Sequence, residues 1–230
     1  MKALINYEIA EDFTHVTGIE SIPLMPYNRL DLPVSAHADM LFCILDKTVF
    51  CYEDYVKEQR IYNSLVECGL NVVFVSNACN KDYPNDVSLN VLIMGKTLFC
   101  NEKYVAREIL AYAKAHKYKV VNIKQGYAAC STLVIDENNA ITSDFGIAEA
   151  IKRENKSVLV IKNDEIILKG YNCGFIGGAT GVCGKKIFTF GDLNTLVDGD
   201  KIFNNILECK STIVPILSGR VYDFGGIKLI

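Results

Sequence analysis

The pattern of apolar and polar residues is clearest in the middle of the chain, where it predicts four elements in succession. Residues 130–135 are rich in β-branched side chains, which is typical of a strand, and residues 136–139 have the Asp and Asn content of a turn. Residues 140–142 predict a second strand, and the apolar positions that follow recur at helical spacing as far as Ile151. A further apolar run at 157–161 completes a predicted ββαβ unit.

Three further segments repeat this order of elements, two before the central unit and one after it. The pentapeptide KTVFC at 47–51 matches KTLFC at 96–100, which lies 49 residues later in the same structural context. The first of these segments predicts strands at 37–45, 48–51 and 71–75 with a helix at 53–68. The second predicts strands at 87–94, 97–100 and 119–123 with a helix at 102–116. The segment after the central unit has a glycine-rich start at 174–181 and predicts strands at 186–190 and 212–216 with a helix at 200–208.

The two ends of the chain supply the material of one more unit, with strand-like residues near both termini. Joined in one sheet, they would close a ring that has no exposed sheet edge. We therefore expect an α/β fold, a single domain over 1–230 that forms a five-bladed α/β propeller of ββαβ repeats. The repeats are expected at 37–76, 86–124, 127–169 and 174–217, with the fifth formed by 219–230 together with 1–25.

Composition limits the function classes. The chain is 50% hydrophobic with a net charge of −3, which gives no electrostatic reason to expect nucleic acid or a membrane as a partner. Its nine cysteines are scattered without a C-x-x-C pair, so we expect no metal, no other cofactor and a reducing cytoplasm. A small-molecule ligand is the expected partner, and the choice between a monomer and a homodimer stays open.

Four motifs resemble an uncharacterised bacterial family of the pentein fold. They are GYAACS at 126–131, ITSDFGIAEAI at 141–151, KGYNCGFIGGATG at 169–181 and FTFGDL at 188–193. More distantly, the chain resembles arginine and agmatine deiminases and dimethylarginine dimethylaminohydrolase. The resemblance implies five units around a pseudo-fivefold axis and a site of Cys, His and acidic residues that acts on a guanidine group. The chain departs from those enzymes because their nucleophilic cysteine lies in the last unit, whereas 220–230 contains no cysteine.

The symmetry of such a ring would bring the heads of its first strands together at the axis. Counting back 13 residues from equivalent positions of the second strands gives His37, Asp86 and the neighbour of Cys130. A cysteine attacks as the thiolate, and a His held by a carboxylate can move the proton. We therefore predict Cys130 as nucleophile, His37 as acid and base, and Asp39 and Asp144 as anchors of a cationic substrate.

Each candidate also has a structural alternative. Cys130 can be a small buried hydrophobe, and the His and Asp candidates can be plain capping or turn residues. The run at 177–181 lacks the G-K-[ST] ending of a phosphate loop, so it is better interpreted as backbone brought close to a ligand or to another part of the chain. The candidates for ligand binding are Asp86, Tyr127, Phe175, Gly177, Gly178 and Asp192.

Two functions of different classes follow. The first is a thiol-dependent hydrolase or transferase that acts on a small guanidine- or amidine-like nitrogen compound. The second is a non-catalytic protein that binds a small ligand or a macromolecule, as a resemblance to a ribosome anti-association factor of the same fold permits. The absence of a basic face disfavours ribosomal RNA as that macromolecule.

Overall fold

The computed structural model describes all 230 residues, which form short strands and helices. The strands are β1 Lys2–Asn6, β2 Glu20–Leu24, β3 Phe42–Leu45, β4 Thr48–Cys51, β5 Asn71–Phe74, β6 Leu92–Met94, β7 Thr97–Cys100, β8 Lys119–Asn122, β9 Thr132–Val134, β10 Asn139–Thr142, β11 Ser157–Val160, β12 Thr180–Cys183, β13 Lys186–Thr189, β14 Thr212–Pro215 and β15 Ile227–Leu229. The helices are α1 Ala10–Thr17, α2 Ala38–Leu41, α3 Glu53–Glu58, α4 Tyr62–Glu67, α5 Arg107–Ala115, α6 Phe145–Arg153 and α7 Gly199–Glu208. None of these helices has the length and apolar character that crossing a membrane requires.

The strands form five separate three-stranded sheets of one design. In four of them a hairpin pairs the first two strands antiparallel, and the third strand pairs parallel with the second. These sheets are β3-β4-β5, β6-β7-β8, β9-β10-β11 and β12-β13-β14. First strands of successive sheets contact one another, β6 with β9, β9 with β12 and β12 with β15, and β15 contacts α2. The first strands therefore surround one axis.

The fifth sheet joins the two ends of the chain. β1 pairs antiparallel with β15 and parallel with β2, and Ala3 lies opposite Leu229. The backbone N–H of Lys2 donates to Ile230 O over 2.7 Å, and the Ile230 N–H donates to Lys2 O over 2.8 Å. The predicted α/β propeller, closed by both termini, is confirmed.

Burial follows the position of each element in its unit. All residues of β4 and β7 are buried, because the second strand is the middle strand of its sheet. Helix α6 buries Ile147, Ala148 and Ile151, which lie on one face at helical spacing. The largest group of mutually packed apolar side chains includes Phe42 and Phe50 and extends from the first unit into the second.

The structure differs from the predicted elements where the chain passes the axis. His37 does not begin a strand but precedes the four-residue helix α2, and β3 follows that helix. β6 and β9 are three residues each, so Asp86 and Cys130 lie in the turns before them. Backbone groups near the axis form hydrogen bonds with other units and not with a neighbouring strand of their own sheet. For example, the Asp39 N–H donates to Gly225 O over 3.0 Å.

Two predicted helices are also shorter than expected. The predicted helix at 53–68 is divided into α3 and α4 at Arg60, whose φ of 57° is left-handed and cannot continue a right-handed helix. The predicted helix at 102–116 begins only with α5, because Asn101 forms a turn in which its side chain accepts from the Lys103 N–H over 3.2 Å.

Candidate active site

Polar side chains from four of the five units are buried together at the axis. His37 is 2% exposed, Asp39 3%, Asn90 2%, Cys130 5% and Asp223 5%. Titratable and amide side chains are rarely this buried unless they are paired or hydrogen-bonded. This cluster is therefore the strongest candidate for chemistry in the molecule.

Asn90 holds Cys130 in place. Its amide nitrogen donates to Cys130 Sγ over 2.8 Å and to the backbone carbonyl of Asp39 over 3.1 Å. Its amide oxygen accepts from the backbone N–H groups of Ala129 and Cys130 at 2.7 and 3.3 Å. Because one side chain bonds both the sulfur and the backbone beside it, the position of Sγ is fixed relative to the axis.

His37 and Asp223 form the second pair at the axis. His37 Nδ1 lies 3.8 Å from Asp223 Oδ1, and both side chains are almost fully buried. The backbone N–H groups of Phe175 and Gly225 each donate to the Asp223 carboxylate over 2.9 Å. Burial raises the pKa of Asp223, and the neighbouring His37 opposes that shift. At 3.8 Å the carboxylate acts on the imidazole through its charge and not through a hydrogen bond.

Asp39 carries a buried carboxylate that lacks a hydrogen-bond partner at either oxygen. Burial raises its pKa to about 6, an effect that His37, Lys228 and the nearby Cys130 thiol reduce and that Asp223 increases. The residue lines a cavity of about 200 Å³ that also contains Lys228 and does not reach Cys130. An unpartnered buried carboxylate is destabilising, so Asp39 is a strong candidate to compensate a bound positive charge.

The surroundings of Cys130 favour the protonated form of its thiol. Burial raises its pKa well above the ordinary value, the charges of Asp39 and Asp223 raise it further, and the hydrogen bond from Asn90 opposes them. The thiolate is the nucleophilic form of cysteine. A cation placed among these carboxylates would lower the pKa of the thiol.

A cavity of about 280 Å³ reaches Cys130, His37 and Asp223 together, and we call it the thiol cavity. Its walls are mainly apolar and aromatic, as is usual for small-molecule sites. The lining residues are Val34, His37, Met40, Tyr127, Cys130, Leu168, Tyr171, Asn172, Cys173, Phe175 and Asp223. An adjoining cavity of about 400 Å³ shares His37, Leu168 and Asp223 with it. No group of three or more His, Cys, Asp or Glu side chains in the molecule is placed to hold a metal ion.

Glycines allow the units to meet closely at the axis. A Cβ atom at Gly178 would overlap the Asp223 carboxylate, and one at Gly225, whose φ is +80°, would overlap His37. A Cβ atom at Gly177 would overlap backbone carbonyl oxygens of the third unit. The close approach of backbone predicted for 177–181 is therefore to other parts of the chain.

The structure brings three of the four predicted catalytic residues to the axis. Cys130 and His37 line the thiol cavity, and the charge of Asp39 acts on the thiol. Asp144 does not line the cavity, because it caps the free amides of α6: Oδ1 accepts from the Ile147 N–H over 2.8 Å, and Oδ2 accepts from a neighbouring glutamine over 3.0 Å. The carboxylate beside His37 is Asp223.

The predicted ligand-binding residues divide in a similar way. Tyr127 and Phe175 line the thiol cavity with stacked rings whose centroids lie 6.5 Å apart. Asp86 lies behind Tyr127, whose hydroxyl donates to it over 2.5 Å, and burial raises the pKa of Asp86. Gly177 lines the cavity that contains Asp39. Asp192 lines neither cavity, because it caps a 3₁₀ turn by accepting from the backbone two residues later over 2.9 Å.

Sequence reasoning misses three residues of the site, namely Asn90, Asp223 and Cys173. Asn90 and Asp223 lie in largely apolar segments that predict strands, and a polar residue inside such a segment was the one signal available. Cys173 is partly exposed in the wall of the thiol cavity, and burial raises its pKa. No local pattern separates it from the other cysteines.

Solved structures share this fold at low sequence identity. DDAH from Pseudomonas aeruginosa, a Cys-to-Ser mutant with citrulline, has a TM-score of 0.54 at 11% identity over 92% of this chain and 82% of its own. Agmatine deiminase from C. jejuni has a TM-score of 0.52 at 7% identity over 89% of this chain and 72% of its own. SxtG, an amidinotransferase from Microseira wollei, has a TM-score of 0.55 at 8% identity over 88% of this chain and 71% of its own.

These likenesses confirm the predicted pentein fold and extend no further, because the identities are low. A family model described as "Family of unknown function (DUF6873)" matches residues 3–228. No curated protein matches this sequence.

Proposed function

Because the chain belongs to DUF6873, a family of unknown function, and has the fold of several guanidine-modifying enzymes, we propose that it is a thiol-dependent hydrolase or transferase of a small guanidine- or amidine-like cation. In this proposal Cys130 is the nucleophile and His37 the acid and base. The charge of Asp223 stabilises the protonated form of His37, and Asp39 supplies further negative charge at the axis.

One observation carries the proposal. A thiol, an imidazole and a carboxylate from three different units reach the same small cavity, and the carboxylate of Asp39, which lacks a hydrogen-bond partner, is near enough for its charge to act on the thiol. Packing alone would favour apolar side chains at such a buried position, because unpaired polar groups there are destabilising. A cation bound in the thiol cavity would pair with Asp223, and the nearby charge of Asp39 would stabilise it further.

The negative charges also explain how the thiol is activated. Asp39 and Asp223 raise the pKa of Cys130 while the cavity is empty of positive charge. An opposite charge within about 4–6 Å shifts a pKa by roughly 1–3 units, so a bound amidinium favours the thiolate. The substrate thereby promotes ionisation of the group that attacks it.

The covalent steps balance with water as the only other reactant. Cys130 passes its thiol proton to His37 as a bond forms from Sγ to the amidine carbon. The bond from that carbon to the leaving nitrogen breaks, and His37 returns the proton to the nitrogen, which departs as ammonia or an amine. Water then displaces Sγ, giving a urea or amide and the restored thiol. In a transferase, an amine takes the place of this water.

The test is to incubate the protein with a panel of alkylguanidines and alkylamidines, and to measure ammonia or amine release and the intact mass after an acid quench. We expect turnover and a covalent adduct on Cys130, and a Cys130→Ala variant should release product only at the background rate. Cys209→Ala is the matched control, because Cys209 lines neither cavity and should leave turnover unchanged. Full turnover by Cys130→Ala would refute the proposal.

A second candidate function is that of a non-catalytic binder of small cations. It is favoured by the raised pKa of Cys130, since a protonated, fully buried thiol is a poor nucleophile. Saturable binding of the same cations without an adduct or product would identify this function.

A further inference from the structure

The charges around the thiol cavity are mainly negative, and His37 is the one lining residue that can carry a positive charge. No Lys or Arg lines the cavity, whereas Asp223 does. Behind its wall lie Asp86, which accepts from Tyr127 over 2.5 Å, and Asp31, which accepts from Tyr171 over 3.0 Å. A ligand in this cavity therefore lies near three carboxylates and meets no lysine or arginine.

The hydroxyl groups of the cavity are also committed. The phenolic protons of Tyr127 and Tyr171 are donated outward to carboxylates, so these oxygens offer only lone pairs to a ligand. The backbone N–H groups of Phe175 and Gly225 are donated to Asp223. The side-chain donors that remain in the lining are the His37 imidazole and the Asn172 amide, and no lysine or arginine can pair with an anion, so a carboxylate placed there would lose more hydrogen bonds to water than the cavity replaces.

The remaining walls are suited to an apolar body that carries a delocalised positive charge. Tyr127 and Phe175 present stacked rings, and Leu168 and Val34 contribute aliphatic surface. Aromatic faces attract cations, most strongly in desolvated sites. The volume of about 280 Å³ lies at the small end of the range for ligand pockets, so the ligand is small.

We propose that the ligand of the thiol cavity is a small guanidinium or amidinium with a short alkyl arm and without a carboxylate. This inference rests on the proposed function in placing the charged group at Cys130, and it goes further by excluding amino-acid substrates. The reaction that supplies such a compound must either remove a carboxylate from a guanidino or amidino acid or attach an amidine group to a simple amine.

One feature of the fold favours the opposite outcome. The adjoining cavity is lined by Lys169 and Glu8, whose charged atoms lie 3.9 Å apart, and these side chains could bind the carboxylate and ammonium of an amino acid. Both are largely at the surface, and neither lines the thiol cavity. A ligand that contains a carboxylate must therefore extend out of the thiol cavity to reach Lys169.

The experiment measures binding to the full chain carrying Cys130→Ala, which separates recognition from reaction. The probes are butylguanidinium, 5-guanidinopentanoate, which adds a carboxylate to the same arm, and butylurea, which removes the charge. By isothermal titration calorimetry we expect butylguanidinium to bind at least about tenfold more tightly than either of the other two, because they place an unpaired anion or a neutral group in an anionic cavity. Equal or tighter binding of 5-guanidinopentanoate, or no detectable binding of butylguanidinium, would overturn the inference.

Variants of Phe175 test the wall without removing a charge. Phe175→Leu should weaken butylguanidinium binding about fivefold, since a cation–π contact contributes about 1 kcal/mol, and Phe175→Tyr should retain it. Equal affinities of these two variants would contradict the aromatic contact. Butylguanidinium binding without any turnover by the unmodified protein would refute the proposed function and leave this inference supported, so the two failures are distinguishable.

Discussion

Asp39 is a candidate functional residue because its buried, unpaired carboxylate lowers the stability of the folded protein. Its carboxylate is buried without a hydrogen-bond partner at the centre of the molecule, and its pKa is raised to about 6 mainly by burial. Nothing in the packing requires a charge there, because the neighbouring residues of α2 are apolar and fully buried. A residue that destabilises the folded state and remains unpaired is more readily explained by ligand binding than by folding.

Because the buried carboxylate lowers the stability of the folded protein, the effect of Asp39→Asn on that stability should depend on pH. Between pH 4 and pH 6 the folded protein holds a proton on Asp39 that the unfolded chain has released, so the stability of the unmodified protein falls as the pH rises through this window. The asparagine variant has no titrating carboxyl at this position, so its stability does not fall in this pH window for this reason. Its stability relative to the unmodified protein should therefore be about 2 kcal/mol more favourable at pH 8 than at pH 4, as measured by urea unfolding at both values.

Asp136→Asn is the control of opposite sign. Hydrogen bonds from its own turn and the charge of Lys185 lower the pKa of Asp136, although partial burial opposes them. Its replacement should therefore be less favourable at pH 8 than at pH 4. An Asp39→Asn effect that does not change with pH would show that the carboxylate is not buried as described.

Among the secondary-structure elements, the sequence pattern predicts correctly those strands whose hydrogen bonds lie within their own sheet. The second strands β4 and β7 have the bounds that the apolar runs 48–51 and 97–100 predict, because each lies in the middle of its own sheet. The first strands are mispredicted, because their leading residues turn inward to the axis and bond to other units. His37, Asp86 and Cys130 all lie in such leading segments.

Asp144 shows the same limit. The sequence places it correctly before α6, and its distance from the thiol cavity depends on packing that the sequence does not reveal. Asp144→Ala should remove a helix cap and destabilise the protein by about 1 kcal/mol, whereas Asp144→Asn should retain most of the stability. Thermal unfolding measures both effects.

Turnover provides the second measurement for these variants. Both Asp144 variants should retain the activity of the unmodified protein, because the residue does not line the thiol cavity. A loss of turnover in folded Asp144→Asn would restore Asp144 as a substrate anchor.

At the scale of the whole molecule, the ring explains why the site could be located in part but not completed. The similarity of units predicts that His37 and Cys130 meet at the axis, because equivalent positions of a closed ring converge. It does not predict Asp223, which lies 93 residues after Cys130 in the segment where the C-terminal half-unit approaches the first unit. The sequence of that segment does not repeat the pattern of the other units, so the equivalent positions cannot be assigned by comparison with them.

Closure of the ring by β1 and β15 predicts that the termini can be joined and the chain opened elsewhere. A permutant that links Ile230 to Met1 through a short linker and begins at Lys185, in the exposed turn between β12 and β13, should unfold cooperatively within about 5 °C of the unmodified protein. A permutant opened inside β13, the middle strand of its sheet, should not fold. Failure of both permutants would contradict closure through the terminal strands.

If Cys130 ionises when a cation occupies the thiol cavity, the thiol should react faster with a cationic reagent than with a neutral one. The measurement is the rate of Cys130 alkylation by chloroacetamidine, which carries the amidinium charge, divided by the rate with neutral chloroacetamide, followed by peptide mass spectrometry in the folded and the urea-unfolded protein. A cation beside the thiol lowers its pKa by roughly 1–3 units, so the ratio in the folded protein should exceed the ratio in the unfolded protein by about tenfold to a thousandfold. Equal ratios in the two states, or a preference confined to Cys173, would contradict the claim.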